Sequence, residues 1–317
     1  MTELPENWLR PLGSTGLTVS MLCAGGGPLG SMPGNFGYDV PAEQGVDTVL
    51  RVLQGPISFL DTSNNYSGGD SERRIGAALA RAGGLPPGFV LATKVDRGPG
   101  ADFSTARVRR SLEESLERLG LDRVELLHLH DPEHISFADG MAAGGPVETM
   151  LQLREEGLAA HLGVAGGPVE LLRRYVETGA FEALITHNRY TLVDRSADEL
   201  LTTAADRGLA VLNAAVYGGG ILARGAAATT RYAYEEAPAE VVDAVRAMEA
   251  VCARHGVPLA TAAVQFSTRD PRVTSTVVGF SRPERVADVV EQASQAVPDE
   301  LWAEIDALVP SSTHWLH

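Results

Sequence analysis

The sequence predicts an α/β protein, a (β/α)8 barrel with an N-terminal β-hairpin and an extra C-terminal helix. Three observations carry this expectation. Apolar runs of strand length alternate with segments of helical period along nearly the whole chain. The runs are mostly apolar without strict alternation, which suits a parallel sheet covered on its outside by helices. Eight strand-then-helix units fit in 317 residues, and no charge run or Pro/Ser linker divides them, so residues 1–317 read as one domain.

The elements follow in order. Trp8–Ser20, with Gly13-Ser14-Thr15-Gly16 at its centre, reads as a hairpin ahead of the first strand. Strands are expected at Met21–Ala24, Ser58–Asp61, Phe89–Lys94, Val124–His130, Ala160–Ala165, Ala183–Asn188, Ala210–Ala215 and Thr274–Gly279. Helices are expected at Ala42–Leu53, Ser71–Arg81, Ser104–Leu119, Pro146–Glu156, Pro168–Thr178, Ser196–Arg207, Ala239–His255 and Pro283–Gln292. Asp70 and Ser104 supply capping oxygens at two starts, and Gly120, Gly157 and Gly208 follow three ends. Gly25–Pro41 and Tyr217–Pro238 read as long loop insertions, and Pro298–Leu308 as an added amphipathic helix.

A doubly wound nucleotide-binding sheet is the competing architecture. Gly25-Gly26-Gly27-Pro28-Leu29-Gly30 matches G-x-G-x-x-G after a strand. That motif works only where a helix begins within it and turns its N-terminus to a pyrophosphate. Ser31-Met32-Pro33-Gly34-Asn35-Phe36-Gly37 cannot continue such a helix, so the match is read as a Gly-rich loop.

Composition narrows the class of function. A net charge of −15 disfavours nucleic acid and anionic lipid, whose phosphates need a basic footprint. No apolar run approaches the ~20 residues of a membrane helix. The start Met1-Thr2-Glu3-Leu4-Pro5-Glu6 lacks the features of a signal peptide, and two cysteines, Cys23 and Cys252, suit a reducing compartment. A cytoplasmic protein with a small-molecule partner is expected; composition is silent on oligomeric state.

One lysine, Lys94, stands among 26 basic residues. Codon bias explains the arginines equally well, but arginine cannot supply a compact ammonium that answers to burial and neighbouring charge. Position favours chemistry. In a barrel the reacting groups sit at the C-terminal strand ends. Three consecutive strands end in Asp61, Lys94 and His130, and Tyr66 lies on the adjoining loop. Each has a plainer reading alone: a structural ion pair, a packed loop tyrosine, a satisfied strand-end histidine. Together they permit proton transfer at an oxygen. Tyrosine has an ordinary pKa of ~10, and a nearby ammonium favours its phenolate. Tyr66 is then the acid/base, Lys94 its tuner, Asp61 the partner of the lysine and His130 the substrate positioner. His128 and His130 invite a metal reading, but no further His or Cys pair completes a site, and none is expected. A Schiff-base lyase using Lys94 is a third chemistry the set allows.

This arrangement resembles the aldo-keto reductase family. The likeness lies in Asp61-x-x-x-x-Tyr66, Ala92-Thr93-Lys94 and His130 within Leu127-His128-Leu129-His130. It extends to Leu12–Ser20, Ser71-Glu72-Arg73-Arg74-Ile75-Gly76, Ser111–Leu119 and Ser281-Arg282-Pro283-Glu284. The resemblance implies a barrel that binds NAD or NADP without a Rossmann domain and moves hydride between nicotinamide and a carbonyl or alcohol carbon. His130-Asp131-Pro132, Arg189-Tyr190-Thr191-Leu192, Tyr217-x-x-Gly220-Ile221-Leu222 and Val251–Pro258 are similar to the branch of aldose 1-dehydrogenases acting on L-fucose and related sugars. Oxidation of an aldose such as L-fucose or D-arabinose at C1 to an aldonolactone is the activity this implies. A general aldehyde or ketone reductase and a coenzyme-binding regulatory protein on the same barrel are the alternatives. Coenzyme contacts implied by the resemblance are Asn188, Tyr217, Gly279, Ser281, Arg282, Arg285 and Asp288. Asn64, Asn65, His130 and Arg189 are expected to form a polar mouth for sugar hydroxyls. The chain departs from the family pattern at Ala165-Gly166, Ala214, Gly279-Phe280 and Val289, which leaves NAD or NADP open.

Overall fold

A computed structural model describes residues 3–317. The chain opens with an antiparallel hairpin, β1 (Leu9–Pro11) and β2 (Thr18–Ser20), in which Arg10 lies opposite Val19. Seven strands follow: β3 (Leu22–Gly25), β4 (Phe59–Asp61), β5 (Val90–Val95), β6 (Val124–His130), β7 (Ala159–Gly166), β8 (Ala183–His187) and β9 (Ala210–Ala214). A short ribbon of β10 (Arg231–Tyr232) and β11 (Glu235–Glu236) lies in the long insertion, and β12 (Ser275–Gly279) is last. β3 to β9 and β12 close into a parallel (β/α)8 barrel in the order β12-β3-β4-β5-β6-β7-β8-β9.

Period-two alternation sorts the side chains of these strands. On β6, Leu127 and Leu129 face outward into the large core shared with the helices, while Leu126 joins the core inside the barrel. His128 and His130 continue the inward series. The inner core also takes Phe59, Val90, Ala92, Ile185 and Leu212, so the barrel is filled rather than hollow. The hairpin stops its N-terminal end: Leu12 and Val19 are fully buried in that same core.

Eight helices cover the barrel, and the strand boundaries agree with the expected ones to within about two residues. One helix differs in kind. Ala239–Arg254 does not serve as the seventh barrel helix; Leu259–Thr268, which was not expected, packs on β12 and on Glu284–Ser294 in that role. Eight residues of Leu259–Thr268 are buried, so it carries no polar stripe to mark it as amphipathic. Ala239–Arg254 packs instead with the added helix Asp299–Asp306, burying Val245, Met248, Leu301 and Trp302 in a separate cluster. The expected loop Gly25–Pro41 also holds a helical turn at Pro33–Phe36. Cys23 and Cys252 are free, buried thiols. Among the described residues no helix is long and apolar enough to cross a membrane.

Candidate active site

A cavity of ≈ 890 Å³ opens at the C-terminal end of the barrel, lined on one side by Asp61, Tyr66, Lys94 and His130. It lies near the upper end of the ~300–1,000 Å³ typical of small-molecule sites. The four residues meet because three adjacent parallel strands put inward positions side by side. Lys94 pairs in register with His128 on β6, and Asp61 with Ala92 on β5, so Lys94 stands one inward step above Asp61. His128, below the mouth, needs space that Gly163 provides. A Cβ there would lie 2.2 Å from His128 Nδ1.

Lys94 is almost wholly buried and its ammonium is fully engaged. Nζ donates to Asp61 Oδ2 at 2.6 Å, to the Thr62 carbonyl at 2.6 Å and to Tyr66 Oη at 3.3 Å. Burial pulls its pKa down, but Asp61 and Tyr66 outweigh burial and hold it above the ordinary lysine value. Burial pushes Asp61 up against the pull of Lys94, so the charge on this carboxylate depends on the lysine. At 2.6 Å the two form a buried ion pair.

Tyr66 corrects one expectation. Lys94 does favour its phenolate, but burial acts more strongly and Asp61 adds to it, so the phenol is held well above its usual pKa. Tyr66 therefore rests as a neutral acid.

A fifth group completes the cluster. Asp96 follows Lys94 by two residues and, by the same alternation, points inward. Its Oδ1 lies 2.7 Å from His130 Nδ1, its Oδ2 accepts from the Asn65 N–H at 3.0 Å, and Ser63 Oγ donates to Oδ2. The predicted strand stops at Lys94, and this is why Asp96 escapes the sequence reading; the i, i+2 spacing from Lys94 was the available signal.

The motif residues behind the site hold it in place. Glu72, fully buried, accepts from Thr93 Oγ1 at 2.7 Å and from Arg118 Nη1 at 3.1 Å. Ser71 Oγ bridges Thr62 Oγ1 and the Gly26 carbonyl. Gly76 lets the neighbouring helix approach, since a Cβ there would lie 2.0 Å from the Arg118 carbonyl oxygen.

The expected coenzyme residues divide. Tyr217, Gly279, Ser281, Arg282 and Arg285 line the cavity, whereas Asn188 and Asp288 do not. Asn188 is buried in a left-handed conformation (φ 60°), with Nδ2 3.2 Å from His187 Nδ1 and Oδ1 without a partner. Asp288 is exposed on Glu284–Ser294, one turn beyond Arg285. The expected polar mouth is also smaller. Asn65 and His130 line it, but Asn64 is buried, accepting from Arg107 Nη2 at 2.9 Å and donating to the Ser111 carbonyl at 3.0 Å. Arg189 lies outside the lining, against the His187 carbonyl.

Residues expected from no motif also line the cavity. They include Asn35, Phe36, Tyr38 and Asp39 from the loop after β3, Arg97 after β5, and Tyr234 in the β10–β11 turn. Phe36 packs edge-on to Tyr234 at 6.0 Å between ring centroids. These positions lie in loops or in the single helical turn Pro33–Phe36, too short to show a period, so no pattern marked them. Among the described residues no group of three or more His, Cys, Asp or Glu side chains is placed to hold a metal ion.

Comparison with known proteins agrees with the barrel fold. The model of the aldo/keto reductase family matches residues 22–310. The chain is 33% identical over 276 residues to a D-threo-aldose 1-dehydrogenase of a Pseudomonas species, covering 78% of this chain and 83% of that one. It is 32% identical over 311 residues to an L-galactose dehydrogenase of Arabidopsis thaliana, covering 95% and 94%. Its fold superposes on a holo-form aldo-keto reductase from Bacillus halodurans with a TM-score of 0.77, covering 96% of both chains at 22% identity.

Proposed function

The chain belongs to the aldo/keto reductase family, and from that premise we propose that it oxidises an aldose at C1 to the lactone, with NAD or NADP as hydride acceptor. The observation that carries the reading is the mixed lining of the cavity. Asn35, Asp39, Asn65 and Asp131 offer hydrogen-bonding groups there, and Phe36, Tyr38 and Tyr234 offer aromatic faces. A sugar presents both hydroxyls and C–H faces, so this mixture suits it better than an apolar substrate. The dehydrogenases of D-threo-aldoses and L-galactose among its relatives support the same class.

The residues present fit the coenzyme. Arg282 and Arg285 line one part of the cavity, and neither makes an ion pair among the described residues. Two such guanidiniums match phosphate oxygens. Ser281, Gly279 and Tyr217 would form the rest of that wall. When bound, a nicotinamide coenzyme takes up or supplies the hydride. The protein handles the proton. Tyr66 Oη, with Lys94 Nζ at 3.3 Å, exchanges it with the C1 hydroxyl oxygen, and His130 orients that oxygen. Asp61 keeps the lysine charged and in place.

The neutral resting state of Tyr66 favours a second reading, reduction of an aldehyde, in which the phenol donates its proton to the carbonyl oxygen. Purified protein with NAD and NADP, offered L-fucose, L-galactose, D-arabinose, L-xylose and simple alcohols at mildly alkaline pH, separates the two. Turnover confined to sugars of one hydroxyl pattern is expected. Inactivity with every sugar, alongside reduction of aldehydes by the reduced coenzyme, removes the sugar assignment.

A further inference from the structure

Asp96 has no place in the four-residue set, yet it is among the most firmly held side chains of the mouth. Its carboxylate is 8% exposed and meets Ser63 Oγ, the Asn65 N–H and His130 Nδ1. Its backbone is pinned as well: the N–H donates to Ser111 Oγ at 2.9 Å, and the carbonyl accepts from Arg107 Nε at 3.0 Å. Ser63 and Asn65 thus fix the carboxylate against His130, and Ser111 and Arg107 fix the backbone beneath it. We propose that Asp96 is a positioning residue for the hydride-transfer reaction, forming with His130 a carboxylate–imidazole couple that holds Nδ1–H inward and leaves Nε2 for the substrate oxygen.

The tautomer follows from the acceptor. An ionised carboxylate has only lone pairs, so the ring nitrogen 2.7 Å from Oδ1 carries the proton. Ser63 Oγ, 3.1 Å from the same nitrogen, spends its own hydrogen on Asp96 Oδ2. Nε2 makes no hydrogen bond among the described residues; its nearest charged neighbour is Asp131 Oδ1 at 3.6 Å. Nε2 is thus the ring atom left to a ligand.

The couple also sets the charge of the ring. Burial opposes the imidazolium, and Lys94 repels it; Asp96 and Asp131 outweigh both and hold the His130 pKa above its ordinary value. His130 in turn helps hold Asp96 below the usual carboxylate range, despite burial. The remaining groups facing the ring do not compete for the proton. Tyr66 is neutral, Asp61 is committed to Lys94, burial keeps His128 uncharged, and burial lowers His187 to about 4. As imidazolium, His130 donates Nε2–H to a carbonyl oxygen; once neutral, it accepts from a substrate hydroxyl. Asp96, bonded to Nδ1 at 2.7 Å, therefore shifts upward the pH at which the ring passes from donor to acceptor.

The inference rests on the hydride-transfer reading only for which atom Nε2 meets, so its test begins without substrate. Nitrogen-15 spectra of the full chain labelled in histidine give the tautomer and titration of His130, identified by the signal lost in His130→Gln. The unmutated chain should show Nδ1–H at high pH, a result that no folding defect of a variant can obscure. Asp96→Asn keeps the shape and an acceptor oxygen but removes the charge. It should lower the His130 midpoint by one unit or more, with the limb of kcat/KM against pH moving equally, for whichever carbonyl or alcohol substrate is turned over. An Nε2–H tautomer in the unmutated chain, or a midpoint and pH limb that stay in place in Asp96→Asn, overturns the proposal. Absence of sugar turnover would instead count against the aldose assignment, and leaves these spectra to decide on Asp96.

Discussion

The two walls of the mouth are built on opposite principles. From β4 to β6, charged and polar side chains are bonded to one another: Asp61 to Lys94, Lys94 to Tyr66, Asp96 to His130, with Glu72 and Arg118 behind. From β7 to β9 the lining narrows to Ala165, Gly166, Ile185, His187, Ala214 and Ala215, which offer space and few contacts. The difference teaches where pre-organisation is placed. The groups proposed to move a proton are fixed before any ligand arrives, at the expense of buried charge, whereas the facing wall is shaped by what its side chains leave open.

Removing a reacting group from the bonded wall should have the largest effect. Tyr66→Phe deletes one oxygen and should lower kcat by about 10²–10⁴-fold with coenzyme affinity unchanged, as stopped-flow turnover and fluorescence titration would measure. A loss in binding alone would place the residue in the wrong role. Lys94→Met tests the charge balance next. It leaves Asp61 buried and unpaired, and should destabilise the fold by about 3–5 kcal/mol at neutral pH. Because the Asp61 pKa is raised by burial even with the lysine present, it rises further in the variant. A carboxyl raised in the folded state contributes stability below its unfolded pKa of ~3.9 and loses it as pH rises through the folded value. Melting curves of Lys94→Met should therefore fall from acid toward neutral pH more steeply than those of the unmutated chain, and Asp61→Asn added to it should flatten them.

The coenzyme side of the cavity, after β12, sharpens the comparison with smaller effects. Arg282→Ala or Arg285→Ala should raise the coenzyme KM about tenfold, ~1.4 kcal/mol, with kcat little changed. A larger effect with NADP than with NAD at either position would assign that arginine to the 2′-phosphate. Asp288→Ala should change neither constant by more than about twofold, because the side chain is exposed and does not line the cavity. A tenfold change there would return Asp288 to the coenzyme site.

The legibility of these features in the sequence follows the same division. Strands and most helices could be read because buried runs and amphipathic stripes are local patterns. Leu259–Thr268 could not, because its burial on nearly all sides erases the stripe. Asp61, Tyr66, Lys94 and His130 could be placed together because strand ends in a barrel share one mouth. The balance at Tyr66 was not legible, since burial beats the ammonium only once the surrounding atoms are in place. Asn188 shows the same limit: its position at the end of β8 was correct, but a left-handed backbone turns it out of the cavity lining.

The central claim, hydride transfer from a sugar C1 within the Tyr66 site, is tested most directly by an aldose carrying deuterium at C1. Incubated with the enzyme and oxidised coenzyme, it should deliver deuterium to the nicotinamide ring, with a primary isotope effect on the chemical step that Tyr66→Phe slows. Reduced coenzyme free of deuterium, or label transfer that proceeds undiminished in Tyr66→Phe, would contradict the account.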